Sequence, residues 1–93
     1  MLGLTRVAAA EAARKGVRVN AICPGFVETP LSLEVVNLEP DPQAALTAKR
    51  LMHPMPRGGS LEEMGELAVY LASDLSGFMT GQAIAIDGGY ATR

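Results

Sequence analysis

Pro24, Gly25, Val27 and Thr29 occupy the one stretch of this chain whose residue types and spacing suit a ligand site. They follow an apolar run, Val17 to Cys23, broken only by Arg18 and Asn20. In an open α/β sheet, ligands bind outside the carboxyl ends of the strands. An apolar run that stops at Pro-Gly has the form of such an end. Proline stops a ladder because it lacks an N–H, and glycine lets the backbone approach a ligand closely. Thr29 adds a hydroxyl that can donate and accept hydrogen bonds. Taken alone, a Pro-Gly pair marks no more than the end of a strand.

The other chemically capable residues are weaker candidates. His53 is a lone histidine in a proline-rich loop, without partners at metal-ligand spacing. Glu62, Glu63 and Glu66 read as the solvated, capping first turn of a helix. Arg57 could meet a phosphate, but an exposed loop arginine seldom does. Met52, Met55, Met64 and Met79 read as gap-filling side chains. Cys23 sits in an apolar run, where a small buried hydrophobe is the simpler reading than a reactive thiol.

The elements that must position the Pro-Gly turn can be traced along the chain. Leu2 to Arg14 is rich in Ala and Leu and predicts a helix, which Gly16 ends as a left-handed cap. Val17 to Cys23 follows at once as a strand. Leu31 to Gly59 is the least regular region. Within it Asp41-Pro42 starts a helix that runs to about Met52, and His53-Pro-Met-Pro-Arg-Gly-Gly59 stops it. Ser60-Leu-Glu-Glu63 predicts a capping box. The helix it opens carries Leu61, Met64, Leu67, Ala68, Leu71 and Ala72 on one face. A loop from Asp74 to Gly81 leads into a last strand, Gln82 to Asp87, closed by Gly88-Gly89.

This order predicts an α/β fold, with two parallel strands joined by a right-handed crossover. Strands as apolar as these belong inside a sheet covered on both faces, and two of them are too few to build one. Residues 1–93 therefore read as a single partial domain, part of a larger doubly wound sheet. Expressed alone, such a chain should be poorly soluble or molten.

Composition narrows the function classes. The chain has 93 residues, 48% of them hydrophobic, and a formal charge of −2. Its cations are scattered, with Arg14-Lys15 and Lys49-Arg50 the only adjacent pairs. That distribution gives no footprint for nucleic acid or an anionic membrane. A single cysteine excludes an internal disulfide. No secretory signal and no spanning apolar run are visible, so a soluble, cytoplasmic location is expected.

Six further segments, in order, resemble the C-terminal part of the classical short-chain dehydrogenase/reductases. They are Leu2-Gly-Leu-Thr-Arg6, Gly16-Val-Arg-Val-Asn20, Pro56-Arg-Gly-Gly-Ser-Leu-Glu-Glu63, Tyr70-Leu-Ala-Ser-Asp74, Thr80-Gly81 and Ile86-Asp-Gly-Gly89. The resemblance covers the whole chain. It implies a Rossmann-like fold and NAD or NADP as cofactor, with a small carbonyl or alcohol substrate. It also implies a homo-oligomer of the full-length form. By the same resemblance Pro24, Gly25, Val27 and Thr29 line the nicotinamide end of the cofactor site, and residues 31–59 correspond to the lid over the substrate.

The departures bear on activity. The family holds its dinucleotide on a glycine-rich strand-to-helix turn, and its proton donor is a tyrosine four residues before a lysine. Neither pattern is present: Tyr70 is followed at that spacing by Asp74, and Tyr90 lies three residues from the end. No catalytic residue is assigned, and the 93 residues alone are expected to be inactive. Met1 then reads as an internal methionine taken as a start, or the chain as a gene remnant. Two alternatives remain: a small interaction protein pairing with a full-length relative, and an autonomous nucleotide-binding module.

Overall fold

A computed structural model describes residues 2–92. The helix predicted from Leu2 appears as α1 (Leu2–Ala12), tightened into a 3-10 turn over Ala13–Lys15. Gly16 then takes φ 77°, and its N–H bonds the Ala13 carbonyl at 3.0 Å. This left-handed cap is the conformation that glycine adopts without a Cβ clash.

β1 covers Ala21–Pro24 and β2 covers Ala83–Ile86, and together they form a two-stranded parallel sheet. Its ladder runs through Ala21 N–H to Gln82 O (2.8 Å) and Gly25 N–H to Ile86 O (3.2 Å). The first strand is thus shorter than Val17–Cys23 and reaches one residue further, into Pro24. Proline does not stop this ladder, because the next donor is Gly25.

Val17–Asn20 precedes the regular strand and bonds irregularly to the segment before β2, with Gly81 N–H donating to Val19 O at 2.7 Å. The Arg18 guanidinium donates to Ser76 Oγ and to the carbonyls of Leu71, Ser73 and Met79, at 2.8–3.2 Å. Asn20 bridges Met79 O and Gln82 N, and Thr80 Oγ1 accepts from Val19 N.

Between the strands lie α2 (Pro30–Val36), α3 (Pro42–Leu51) and α4 (Leu61–Ala72). α3 and α4 are the predicted helices, and Asp41 and Ser60 cap them as expected. α2 is an addition to the predicted order. The region from Leu31 is more regular than its sequence suggested, since Thr29-Pro30 opens a helix just as Asp41-Pro42 does. The loop after α4 contains a 3-10 turn, Asp74–Ser76.

The described residues divide into two compact units. One holds the chain through Cys23 with Gly65–Ala85; the other holds Pro24–Met64 with the chain from Ile86 on. Few side chains are fully enclosed in either. The first buries Thr5, Ala9, Ala21 and Ser76; the second buries Val36 and His53. On the predicted apolar face of α4, Met64, Leu67 and Leu71 are only half-buried, and Leu61, Ala68 and Ala72 are exposed. Leu4, Val7, Val69 and Phe78 are also exposed. No helix among the described residues is long and apolar enough to cross a membrane.

Candidate functional site

The four candidate residues lie on one extended turn that leaves the carboxyl end of β1, within the second unit. Both sides of this turn are held by the segment that runs from the end of α3 to Gly59. At the centre of the turn, Val27 pairs with Gly59 as an isolated parallel bridge. Glu28 N–H donates to Gly59 O at 2.9 Å, and Gly59 N–H donates to Phe26 O at 2.8 Å. The Phe26 carbonyl and the Glu28 N–H are thus both taken by Gly59. By the alternation of an extended chain, the N–H of Val27 lies on the opposite side. The Val27 carbonyl accepts from Ser32 Oγ at 2.8 Å and keeps a second lone pair.

His53 secures the beginning of the turn. It is buried, with 5% of its surface exposed, and its Nε2 accepts from Phe26 N–H at 3.1 Å. An acceptor at Nε2 requires the proton on Nδ1, which lies 3.2 Å from Arg50 O. Both ring nitrogens are therefore occupied within the protein. The ring also stands edge-on to Tyr90, with centroids 6.3 Å apart. His53, a lone histidine in a proline-rich loop of the sequence, is a structural support of the turn.

Glu28 secures the far side. Arg50 donates to it through Nε (3.0 Å) and a terminal nitrogen (2.6 Å), and Gly58 N–H donates to Oε2 at 3.1 Å. The Arg50 bond, set against partial burial, holds the Glu28 carboxyl below its ordinary value. Lys49 adds a cation over the Phe26 ring, 5.6 Å from its centroid. Lys49, Arg50 and His53 thus all reach back from the end of α3 to the turn.

Thr29 ends the turn as the N-cap of α2. Its Oγ1 accepts from Ser32 N–H at 3.0 Å while Ser32 Oγ accepts from Thr29 N–H at 2.8 Å, a complete capping box. The hydroxyl expected to serve a ligand in both senses is therefore committed as an acceptor, and its proton is the group left to donate. Gly25, in turn, faces inward: a Cβ there would meet His53 Nε2 at 2.8 Å and the Asp87 Cα at 3.0 Å.

The remaining candidates serve the framework. Arg57 forms a bidentate pair with Glu63, both bonds at 2.9 Å, and Glu63 also accepts from Ser60 N–H. Arg57, followed by the Ser60 N–H, lowers the Glu63 carboxyl to about 2. Arg57 is thereby occupied. Among the described residues no group of three or more His, Cys, Asp or Glu is placed to hold a metal.

Sequence reasoning passed over the link between Glu28 and Arg50, and weighed His53 only as a metal ligand. Glu28 and Arg50 are 22 positions apart and Phe26 and His53 are 27 apart, so no local pattern announces either contact. Thr29-Pro30, in contrast, carried a readable cap signature.

The sequence pattern of the family described as enoyl-(acyl carrier protein) reductase matches residues 1–91. Oxidoreductase UcpA of Escherichia coli (strain K12) is 45% identical over 91 residues, which make up 96% of this chain and 35% of UcpA. A short-chain dehydrogenase family protein from Francisella tularensis superimposes with a TM-score of 0.91 at 34% identity, over 99% of this chain and 40% of that one. ElxO with NADP bound gives a TM-score of 0.86 at 30% identity, over 99% and 36%. The chain thus spans little more than a third of the length of these relatives. The chain belongs to the short-chain dehydrogenase/reductase family.

Proposed function

We propose that these residues form the nicotinamide-side wall and the substrate lid of an NAD(P)-dependent oxidoreductase acting on carbonyl or alcohol substrates. The observation that carries this reading is the Val27 backbone. Its N–H faces away from the Gly59 bridge, its carbonyl retains a lone pair, and the Thr29 hydroxyl proton lies two residues on. A carboxamide needs a donor for its oxygen and an acceptor for its amide, and this stretch supplies both. Pro24 and Gly25 bring the chain to that place. When bound, the nicotinamide supplies or accepts the hydride. Residues 31–59 form the lid, and the exposed Leu31, Val35 and Leu38 favour an apolar or mixed substrate.

These residues orient a cofactor and cover a substrate; they do not move the proton. Tyr70 has Asp74 where the family's lysine would stand, and Tyr90 packs edge-on against His53. The 93 residues by themselves are accordingly assigned no catalysis. A second reading, a non-catalytic partner for a full-length relative, draws on the exposed apolar side chains of α1 and α4, among them Leu4, Val7, Leu61 and Val69.

The test uses the protein made by its source cell, captured through peptides of this region, weighed intact and titrated with NADH and NADPH. A species several-fold heavier than 9.7 kDa that binds either dinucleotide and oxidises it with a carbonyl compound supports the oxidoreductase. A species of 9.7 kDa that co-purifies with a longer relative supports the partner reading. Failure of a heavier species to bind either dinucleotide at millimolar concentration overturns the first.

A further inference from the structure

We propose that Arg50 and His53, at the end of the lid helix α3, are positioning residues for the nicotinamide-side turn, so that cofactor affinity is set from the lid. The inference rests on the function proposed above. Its basis is a clamp that closes on both neighbours of Val27. On one side His53 Nε2 takes the Phe26 N–H; on the other the Arg50 guanidinium takes the Glu28 carboxylate in a bidentate pair.

The two prongs are themselves joined. His53 Nδ1 and the His53 N–H both meet the carbonyl of Arg50, at 3.2 and 3.4 Å. One turn of backbone at the end of α3 therefore carries both. Glu28 in addition receives Gly58 N–H, next to the Gly59 that pairs with Val27. Ser32 Oγ holds the Val27 carbonyl. The Val27 N–H takes its direction from residues 26 and 28, and these are held by His53 and Arg50.

Energetics favour the clamp over a simple tether. The imidazole is buried, so losing its acceptor leaves Phe26 N–H without a partner in a place that water does not readily reach. The Arg50–Glu28 pair is partly exposed, with 43% and 23% of the side chains accessible, so its value lies in geometry more than in charge. A planar fork on a carboxylate fixes direction as well as distance.

The experiment takes the protein as the source cell makes it and compares His53→Leu, His53→Gln and Arg50→Met with the control Arg14→Met. The control removes a guanidinium from the 3-10 turn after α1, outside both the clamp and residues 31–59. Dissociation constants are measured for NADH, NADPH and ADP-ribose, which lacks the nicotinamide, together with thermal midpoints. His53→Leu is expected to weaken the preferred dinucleotide about tenfold. His53→Gln, whose amide oxygen can take the Phe26 N–H, should recover most of that loss. Arg50→Met should weaken it several-fold, and the control should leave it unchanged.

ADP-ribose affinity should be unchanged throughout, which a general loss of structure would not allow. Equal weakening of ADP-ribose and dinucleotide, or unchanged dinucleotide affinity in both His53→Leu and Arg50→Met, overturns the clamp. A wild-type protein that binds ADP-ribose and dinucleotide equally well overturns the nicotinamide-wall reading, and the clamp with it. Should His53→Leu fail to fold, Arg50→Met against Arg14→Met decides the question.

Discussion

Gly25 lies directly against the imidazole of His53, so close that a Cβ at position 25 would stand 2.8 Å from Nε2. The same nitrogen accepts from the next residue's amide, Phe26 N–H. Position 25 thus controls whether His53 can remain where it supports the turn. The Asp87 Cα, 3.0 Å from the same point, closes the other way out.

Gly25→Ala should therefore destabilise the protein by about 1–3 kcal/mol, the range for forcing an extra carbon into a packed place. Urea denaturation measures it. Since the ring must move, the Phe26 bond is lost as well, and NAD(P)H affinity should fall with stability. Gly25→Ala combined with His53→Ala should recover part of the loss. A double variant no better than the sum of the singles would show that Asp87, not His53, sets the limit.

Arg18 carries the other unit. Its guanidinium ties the carbonyls of Leu71 and Ser73, at the end of α4, to Ser76 and Met79 in the following loop. Positive charge at a helix C-terminus is favourable, and the fork satisfies carbonyls that the helix leaves without partners. Arg18→Met should cost on the order of 3 kcal/mol, as several charge-assisted bonds are lost together. Arg18→Lys should recover only part, lacking the planar fork. Chemical denaturation checks both, and hydrogen exchange should locate the opening in residues 71–80.

Acid should weaken the fold through two carboxylates. Glu63 is lowered from 4.5 to about 2, first by Arg57 and then by the Ser60 N–H, and Glu28 is lowered by Arg50. A carboxyl with a lowered folded-state value stabilises the fold above its unfolded value and ceases to do so as pH falls through the folded one. For Glu63 that window runs from 4.5 down to about 2. The urea midpoint should decline across it. Glu63→Gln keeps a side chain that can complete the capping box. It should flatten the decline modestly, because the pair is exposed.

Gly65 is the one residue of α4 that works against it. It is exposed, and a Cβ there would meet nothing within 4 Å. Gly65→Ala should stabilise the helix by about 1 kcal/mol, the usual helix-interior difference. Circular dichroism and the denaturation midpoint measure the gain. A loss in the source-cell protein would mean that another segment packs against this position.

Isolated, the 93 residues should bind a hydrophobic dye such as ANS and melt without a sharp transition. Among the described residues only Ala9, Ala21 and Val36 are buried hydrophobics, while Leu4, Leu38, Leu75 and Phe78 are each more than 70% exposed. A cooperative, dye-free monomer would show instead that this small core is sufficient.

The sequence by itself determined the helices that have capping residues, the two apolar strands, and the Pro24-Gly25 turn at a strand's carboxyl end. Each rests on contacts within a few residues: Gly16 ends α1, Asp41 opens α3, and Ser60 and Glu63 open α4. Even α2, which was not foreseen, has its whole start signal in Thr29-Pro30 and Ser32. Only the tertiary structure decided what holds the turn. His53 gains its supporting role only when Phe26 is brought to it, and Glu28 only when Arg50 is. Before the first strand, Arg18 and Asn20 likewise bond to a loop some 60 residues away. Caps and periodicity are local and can be read in order along the chain. A hydrogen bond between residues tens of positions apart depends on the path of everything between them, and no spacing rule records that.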